Sequence, residues 1–248
     1  CTVMSAFLSN SGTIAMWMPL IAAVAAKSNG VIRSKMVILA AGIACAVGGA
    51  GTLVGSTSQQ TANAVLMGVA GYEDGLSLFD QTKIMIPLCL IMIVYFATVG
   101  YSLTKKVLKP ESPDFAKGLD VSGGGKVIAD AVLNLFGGQE ASTAVLMAVG
   151  VIVTTILTNF MSNTALAAMM TPIYIQIANS LGVSPVPFVI AIGCVATNLA
   201  CATPVGTPAC TQTLPAGYKY MDYMKIGGPL AIILMIAAAA LAPVMYPF

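Results

Sequence analysis

Histidine is absent from the 248 residues, and with nine acids and eleven bases the charged share is 8%, against about 25% in an ordinary soluble domain. Without histidine, and with almost no acids in its apolar stretches, the chain lacks the usual general bases, metal ligands and intramembrane proton relays. That argues against an enzyme, and no catalytic residue is assigned; it argues equally against a pump built on buried carboxylates. The formal charge of +2 is spread thinly, so no basic face neutralises a run of phosphates and nucleic acid is excluded as a partner. Six cysteines (Cys1, Cys45, Cys89, Cys194, Cys201, Cys210) show no CxxC spacing and have no histidine to complete a metal site, so they read as small packing residues. The only tryptophan, Trp17, reads as packing as well.

What the chain does have is hydrophobic residues, 58% of it, with a mean hydropathy of +0.90. This is the composition of an all-α membrane protein. A hydrocarbon core about 30 Å thick takes about 20 apolar residues to cross as a helix, and several segments reach that length only as broken pieces. Residues 11–26 are apolar but short and end at the polar patch Lys27 to Lys35, which suits one arm of a re-entrant hairpin. Residues 36–71 are interrupted by GGAGTLVGSTSQQ (Gly48 to Gln60), and irregular backbone at membrane depth is tolerated only where it lines a protein cavity. After the acidic loop Gly71 to Asp80, residues 82–104 form a clean span, and Lys105 to Gly125 read as an aqueous linker. Residues 126–137 are too short to cross, while 142–161 and 164–181 hinge at Ser162 and Asn163 as a second hairpin. Residues 186–216 are broken by ATPVGTPACTQT (Ala202 to Thr213), and 225–247 make a final span.

The same order of blocks occurs twice. LSNSGTIAMWMPL (Leu8 to Leu20) superposes on MSNTALAAMMTPI (Met161 to Ile173) at an offset of 153, pairing Ser9 with Ser162, Asn10 with Asn163 and Ser11 with Thr164. Ser5 falls on Thr158 at the same offset, TLVGS (Thr52 to Ser56) pairs with TPVGT (Thr203 to Thr207), and DQTKIMIP pairs with DYMKIGGP. Each copy is thus a re-entrant hairpin, a broken transmembrane helix and a transmembrane span, the plan in which discontinuous helices from two halves meet near the bilayer midplane. Residues 1–104 form the first repeat, 105–125 a cytoplasmic linker and 126–248 the second repeat.

Lys and Arg accumulate on the cytoplasmic side. The basic loop Lys27 to Lys35 therefore places the base of the first hairpin inside, whereas Lys219 and Lys225, following the second broken helix, place the base of the second outside. The repeats are expected to be inverted. Inversion needs an odd number of crossings between Lys105 and residue 142, more than that segment supplies, and the sequence opens inside a motif at Cys1. Further spanning helices, before Cys1 and around residues 118–122, are expected in the native protein. Lys126, Asp130 and Glu140 read as solvated or interfacial.

The paired tips gather hydroxyls and a carboxamide where short helices begin. A helix N-terminus at Ser11 or Thr164 offers free N–H groups and the positive dipole end to an anion. The Asn oxygen, nearby hydroxyls and loop carbonyls are hard ligands for a small cation. Such residues also cap helices and permit close packing. For Ser5 and Thr158, one turn before the tip serines, capping and cation ligation both stay open.

These SN(S/T) tips, each followed eight residues later by Pro19 or Pro172, and the T-x-V-G-(S/T) breaks resemble the divalent anion/sodium symporters of the ion transporter superfamily, over nearly the whole chain. The resemblance implies an elevator-type transport domain, held in a homodimer by scaffold helices, in a multi-pass protein of the cell's inner (plasma) membrane. It implies Na⁺ as coupling ion, bound by Ser5, Ser9, Asn10 and Gly55 and by Thr158, Asn163 and Gly206, with no organic cofactor. It implies a small divalent anion, a di- or tricarboxylate, contacted by Ser9, Asn10, Ser11, Ser56, Ser162, Asn163, Thr164 and Thr207. The family usually reads SNT at the first tip and T-P-P-N after the glycine of the broken helix; here the tip is SNS and the breaks read GSTSQ and GTPAC. The alternatives are a sodium-independent dicarboxylate exchanger, a passive anion channel or a partner-dependent subunit.

Overall fold

The computed structural model describes residues 1–28, 33–108 and 142–247. Most of the linker, the short apolar stretch 126–137, Lys126, Asp130 and Glu140 lie outside them. The described residues are helical, with no strand among them. In the first half α1 (Thr2–Phe7) is joined to α2 (Asn10–Lys27) through Leu8 and Ser9. α3 (Ser34–Gly51) stops, α4 (Thr57–Met67) resumes after a break, and α5 (Thr82–Val107) runs on. The second half repeats the order with α6 (Thr143–Thr158), α7 (Asn163–Leu181), α8 (Val186–Asn198), α9 (Pro208–Thr213) and α10 (Tyr220–Met245).

Local chemistry sets these boundaries. Ser9 and Ser162 leave the helical conformation and cap the helices that follow, Ser9 Oγ accepting from Gly12 N at 3.1 Å and Ser162 Oγ from Ala165 N at 3.3 Å. At the breaks, extended Thr52 donates its hydroxyl to Ala6 O and Thr203 donates to Asn159 O. Each break is thereby fastened to the end of the first hairpin arm, where carbonyls have no intrahelical partner.

Three boundaries differ from the sequence reading. The first break is shorter, because Ser56 N donates to Gln59 Oε1 at 3.1 Å in a capping box that draws Ser58, Gln59 and Gln60 into α4. Lys105 and Lys106 occupy the last turn of α5 rather than the linker, where cations complement the exposed carbonyls. The final helix starts at Tyr220 instead of residue 225, because Asp222 Oδ2 accepts from Lys219 N at 2.9 Å. In the acidic loop Gly71 N donates to Glu73 Oε1 at 2.9 Å, which holds that carboxyl below its usual range.

The halves interlock reciprocally: α4 packs on α7 and α8, and α9 packs on α2 and α3. α10 lies against α5 and α6, with Tyr95 Oη donating to Ile226 O at 2.7 Å. Ile14, Leu39, Ile43, Leu66, Met147 and Phe188 are fully buried between them, and Trp17 packs against this core. The six cysteines are free, four of them buried. α3, α5 and α10 are long and apolar enough to cross a membrane. Ile86, Leu90, Ile93 and Val94 on α5 and Ile232, Ile233 and Ile236 on α10 are exposed.

Candidate functional site

α2, α4, α7 and α9 all begin at one cavity of about 680 Å³, within the range of small-molecule sites. Their N-cap residues Ser9, Ser56, Ser162 and Thr207 line it. So do Asn10, Ser11, Asn163 and Thr164, which brings together all eight residues picked out as anion contacts. The helix starts bring positive dipole ends to the same space, although Pro208 leaves the start of α9 without an N–H. Among the described residues, none that lines it is charged.

Each hydroxyl has a distinct state. Ser9 and Ser162 accept from the backbone, which leaves each hydroxyl its O–H as a donor. Thr57 and Thr164 Oγ1 lie 2.8 Å apart and tie the halves together across the lining. Thr207, fully buried, has no hydrogen-bond partner for Oγ1 among the described residues.

Behind each tip lies a cluster of oxygens. Ser5 Oγ is 2.7 Å from both Asn10 Oδ1 and Cys45 O; Thr158 Oγ1 is 2.8 Å from Asn163 Oδ1 and 2.6 Å from Thr197 O. Ser5 and Thr158 are fully buried and do not line the cavity, while Asn10 and Asn163 reach from cluster to cavity. Gly55 and Gly206 line the cavity, and Gly55 O also lies 3.3 Å from the Asn10 amide. A Cβ on Gly55 would collide with Gly49 O and stand 2.8 Å from Ser5 O, and one on Gly206 would collide with Thr158 O, so only glycine lets these backbones approach.

The Asn10 carboxamide has two uses here. With Oδ1 inward it joins Ser5 Oγ, Cys45 O and Gly55 O in an all-oxygen set suited to a hard cation. Turned over, the orientation that satisfies both ends of the amide, Nδ2 donates to the same three atoms at 2.7, 3.0 and 3.3 Å. Among the described residues no group of His, Cys, Asp or Glu is placed to hold a metal ion.

Several residues escaped the sequence reading. Thr57, Gln60, Pro208, Thr211 and Gln212 also line the cavity. Gln60 lies four residues after Ser56 and Thr211 four after Thr207, so helical spacing from each break was the signal that finds them. Ser58, Asn159 and Asn198 are buried and polar, and they lie inside segments whose composition reads as breaks or apolar runs.

The citrate transporter family matches residues 1–112 and 115–248. The chain is similar to an uncharacterized transporter, YfbS, of Escherichia coli strain K12, at 32% identity over 54% of this chain and 22% of the relative. It is similar to the uncharacterized transporter sll0640 of Synechocystis, at 34% identity over 44% of this chain and 18% of the relative. An uncharacterized transporter of Haemophilus influenzae matches at 26% identity over 72% of this chain. The chain spans 22%, 18% and 40% of the length of these three relatives. They are named as transporters, not enzymes, and with three long apolar helices the chain is a membrane protein.

Proposed function

We propose, from the premise that the chain belongs to the citrate transporter family, that it is the transport domain of a sodium-coupled symporter importing a di- or tricarboxylate. The observation that carries this reading is one cavity at which four helices begin, lined by no charged side chain among the described residues, with an oxygen cluster behind each tip. An anion held there by N–H, O–H and carboxamide groups alone keeps a charge that a low-dielectric site penalises. A cation among the oxygens of Ser5, Asn10 and Cys45, and another among those of Thr158, Asn163 and Thr197, offsets it. Anion binding then depends on cation binding, which is symport. Sodium, a hard cation, suits these all-oxygen ligand sets.

Similarity to the divalent anion/sodium symporters extends the reading to inverted repeats, an elevator motion, a homodimer and the inner membrane. The reciprocal packing of α4 on α7 and of α9 on α2 supports the inverted arrangement. The test is uptake of citrate and of succinate by the full-length protein in proteoliposomes, with inward gradients of Na⁺ or of choline. Sodium is expected to drive accumulation, and Asn10→Ala and Asn163→Ala each to raise the half-activating sodium concentration about 10- to 100-fold while insertion persists. Trans-stimulated exchange indifferent to sodium would instead identify an exchanger and leave the tip asparagines with helix capping.

A further inference from the structure

The two oxygen clusters are alike in composition and differ in what holds them. Asn163 Nδ2 stands 3.5 Å from Asn198 Oδ1, at the limit of a hydrogen bond. In this orientation Asn163 Oδ1 faces Thr158 Oγ1 at 2.8 Å. Asn198 is fully buried, and its Nδ2 donates to Cys194 O at 2.7 Å and to Ser58 Oγ at 2.9 Å, with Thr197 Oγ1 at 3.3 Å. Ser58 belongs to α4 in the other half, is itself fully buried, and lies 2.9 Å from Ser56 Oγ in the cavity lining. Polar atoms thus run without interruption from the second cluster, through Asn163, Asn198 and Ser58, to Ser56. The first half has no counterpart. At the corresponding place α3 carries Ala46 and Val47, so no side chain there holds Asn10 oxygen-inward, and its amide is better satisfied turned over, with Nδ2 donating to Ser5 Oγ, Cys45 O and Gly55 O.

We infer that Asn198 is a positioning residue that makes the two candidate cation sites unequal and couples the second of them to the anion wall. It holds Asn163 oxygen-inward, so the second cluster is ready for a cation, while the first must turn the Asn10 amide before it can bind one. A preorganised site is spared that cost, so the second cluster fills at lower sodium. Through Ser58, its occupation also sets the orientation of the Ser56 hydroxyl toward the anion. The inference rests on the sodium-coupled reading above.

The test is sodium-dependent citrate uptake by full-length protein in proteoliposomes. Asn198→Val removes both bonds of the relay and is expected to raise the half-activating sodium concentration and the citrate KM, each at least about fivefold, the lower end of ordinary coupling. Ser58→Ala cuts only the link between the halves, so it is expected to raise the citrate KM by a similar factor, while the half-activating sodium concentration rises less than in Asn198→Val, because it loses the coupling but keeps the Asn198 contact that orients Asn163. As the smaller change, it reads the coupling even where the Asn198 variant does not fold. Wild-type sodium activation in Asn198→Val, or an unchanged KM in Ser58→Ala, overturns the inference and leaves the symport reading standing. Sodium-independent uptake by the unsubstituted protein overturns that reading first, and the inference with it.

Discussion

Gly206 shows how closely the backbone of each broken helix approaches the hairpin arm beside it. Substitution to Ala pushes a methyl group into Thr158 O, and overpacking of this kind costs typically about 1–3 kcal/mol. Gly206→Ala is expected to lower the melting temperature of the detergent-solubilised protein and to weaken sodium activation, because Thr158 is also a member of the second oxygen cluster. An unchanged melting curve would mean that the two backbones separate without cost. At this scale the sequence was most informative where a polar motif recurred. Asn10 and Asn163 stand out as amides at the same place in two apolar copies. Asn198 has no counterpart in the first half, so no repeat exposed it, and its partner Ser58 lies 140 residues away in the chain.

Elements carry the electrostatics of the site, since four helix starts face the cavity and no charged side chain lines it among the described residues. Ser9 and Ser162 serve both as caps and as cavity lining. Ser9→Ala and Ser162→Ala are each expected to cost about 0.5–2 kcal/mol of stability, the usual worth of an N-cap. Their effect on citrate affinity should exceed that of an alanine at a serine that accepts from a helix start outside the cavity, such as Ser184, whose Oγ accepts from Val186 N. Equal effects at all three positions would reduce the tip serines to caps. Hairpins, broken helices and long spans were legible from lengths of apolar sequence and their interruptions. Their ends were less so, because a run such as Ser58, Gln59 and Gln60 reads as irregular by polarity, whereas a capping box makes it the first turns of α4.

For the whole molecule, the reciprocal packing joins two copies of one plan around a single cavity. The duplication was legible because the tip, break and span blocks recur in the same order. The cavity lined by residues from both halves was not, because neither copy contains it alone. If at least three Na⁺ accompany each dianion, transport moves net positive charge inward. An interior-negative potential then assists by about 2.3 kcal/mol per charge per 100 mV. Potassium-diffusion potentials imposed on proteoliposomes are expected to accelerate sodium-driven uptake; voltage-indifferent uptake would limit the coupling to two sodium ions per dianion.

The most direct test of cation-dependent anion binding is thermal stability of the full-length protein in detergent, in Na⁺ and in K⁺, against citrate, succinate and sulfate. A ligand at 100 times its dissociation constant adds about 2.7 kcal/mol to the stability of the folded state. The expected result is that one carboxylate raises the melting temperature in Na⁺ and leaves it unchanged in K⁺. Equal stabilisation in the two salts would contradict the coupling and assign the oxygen clusters behind Asn10 and Asn163 to structure alone.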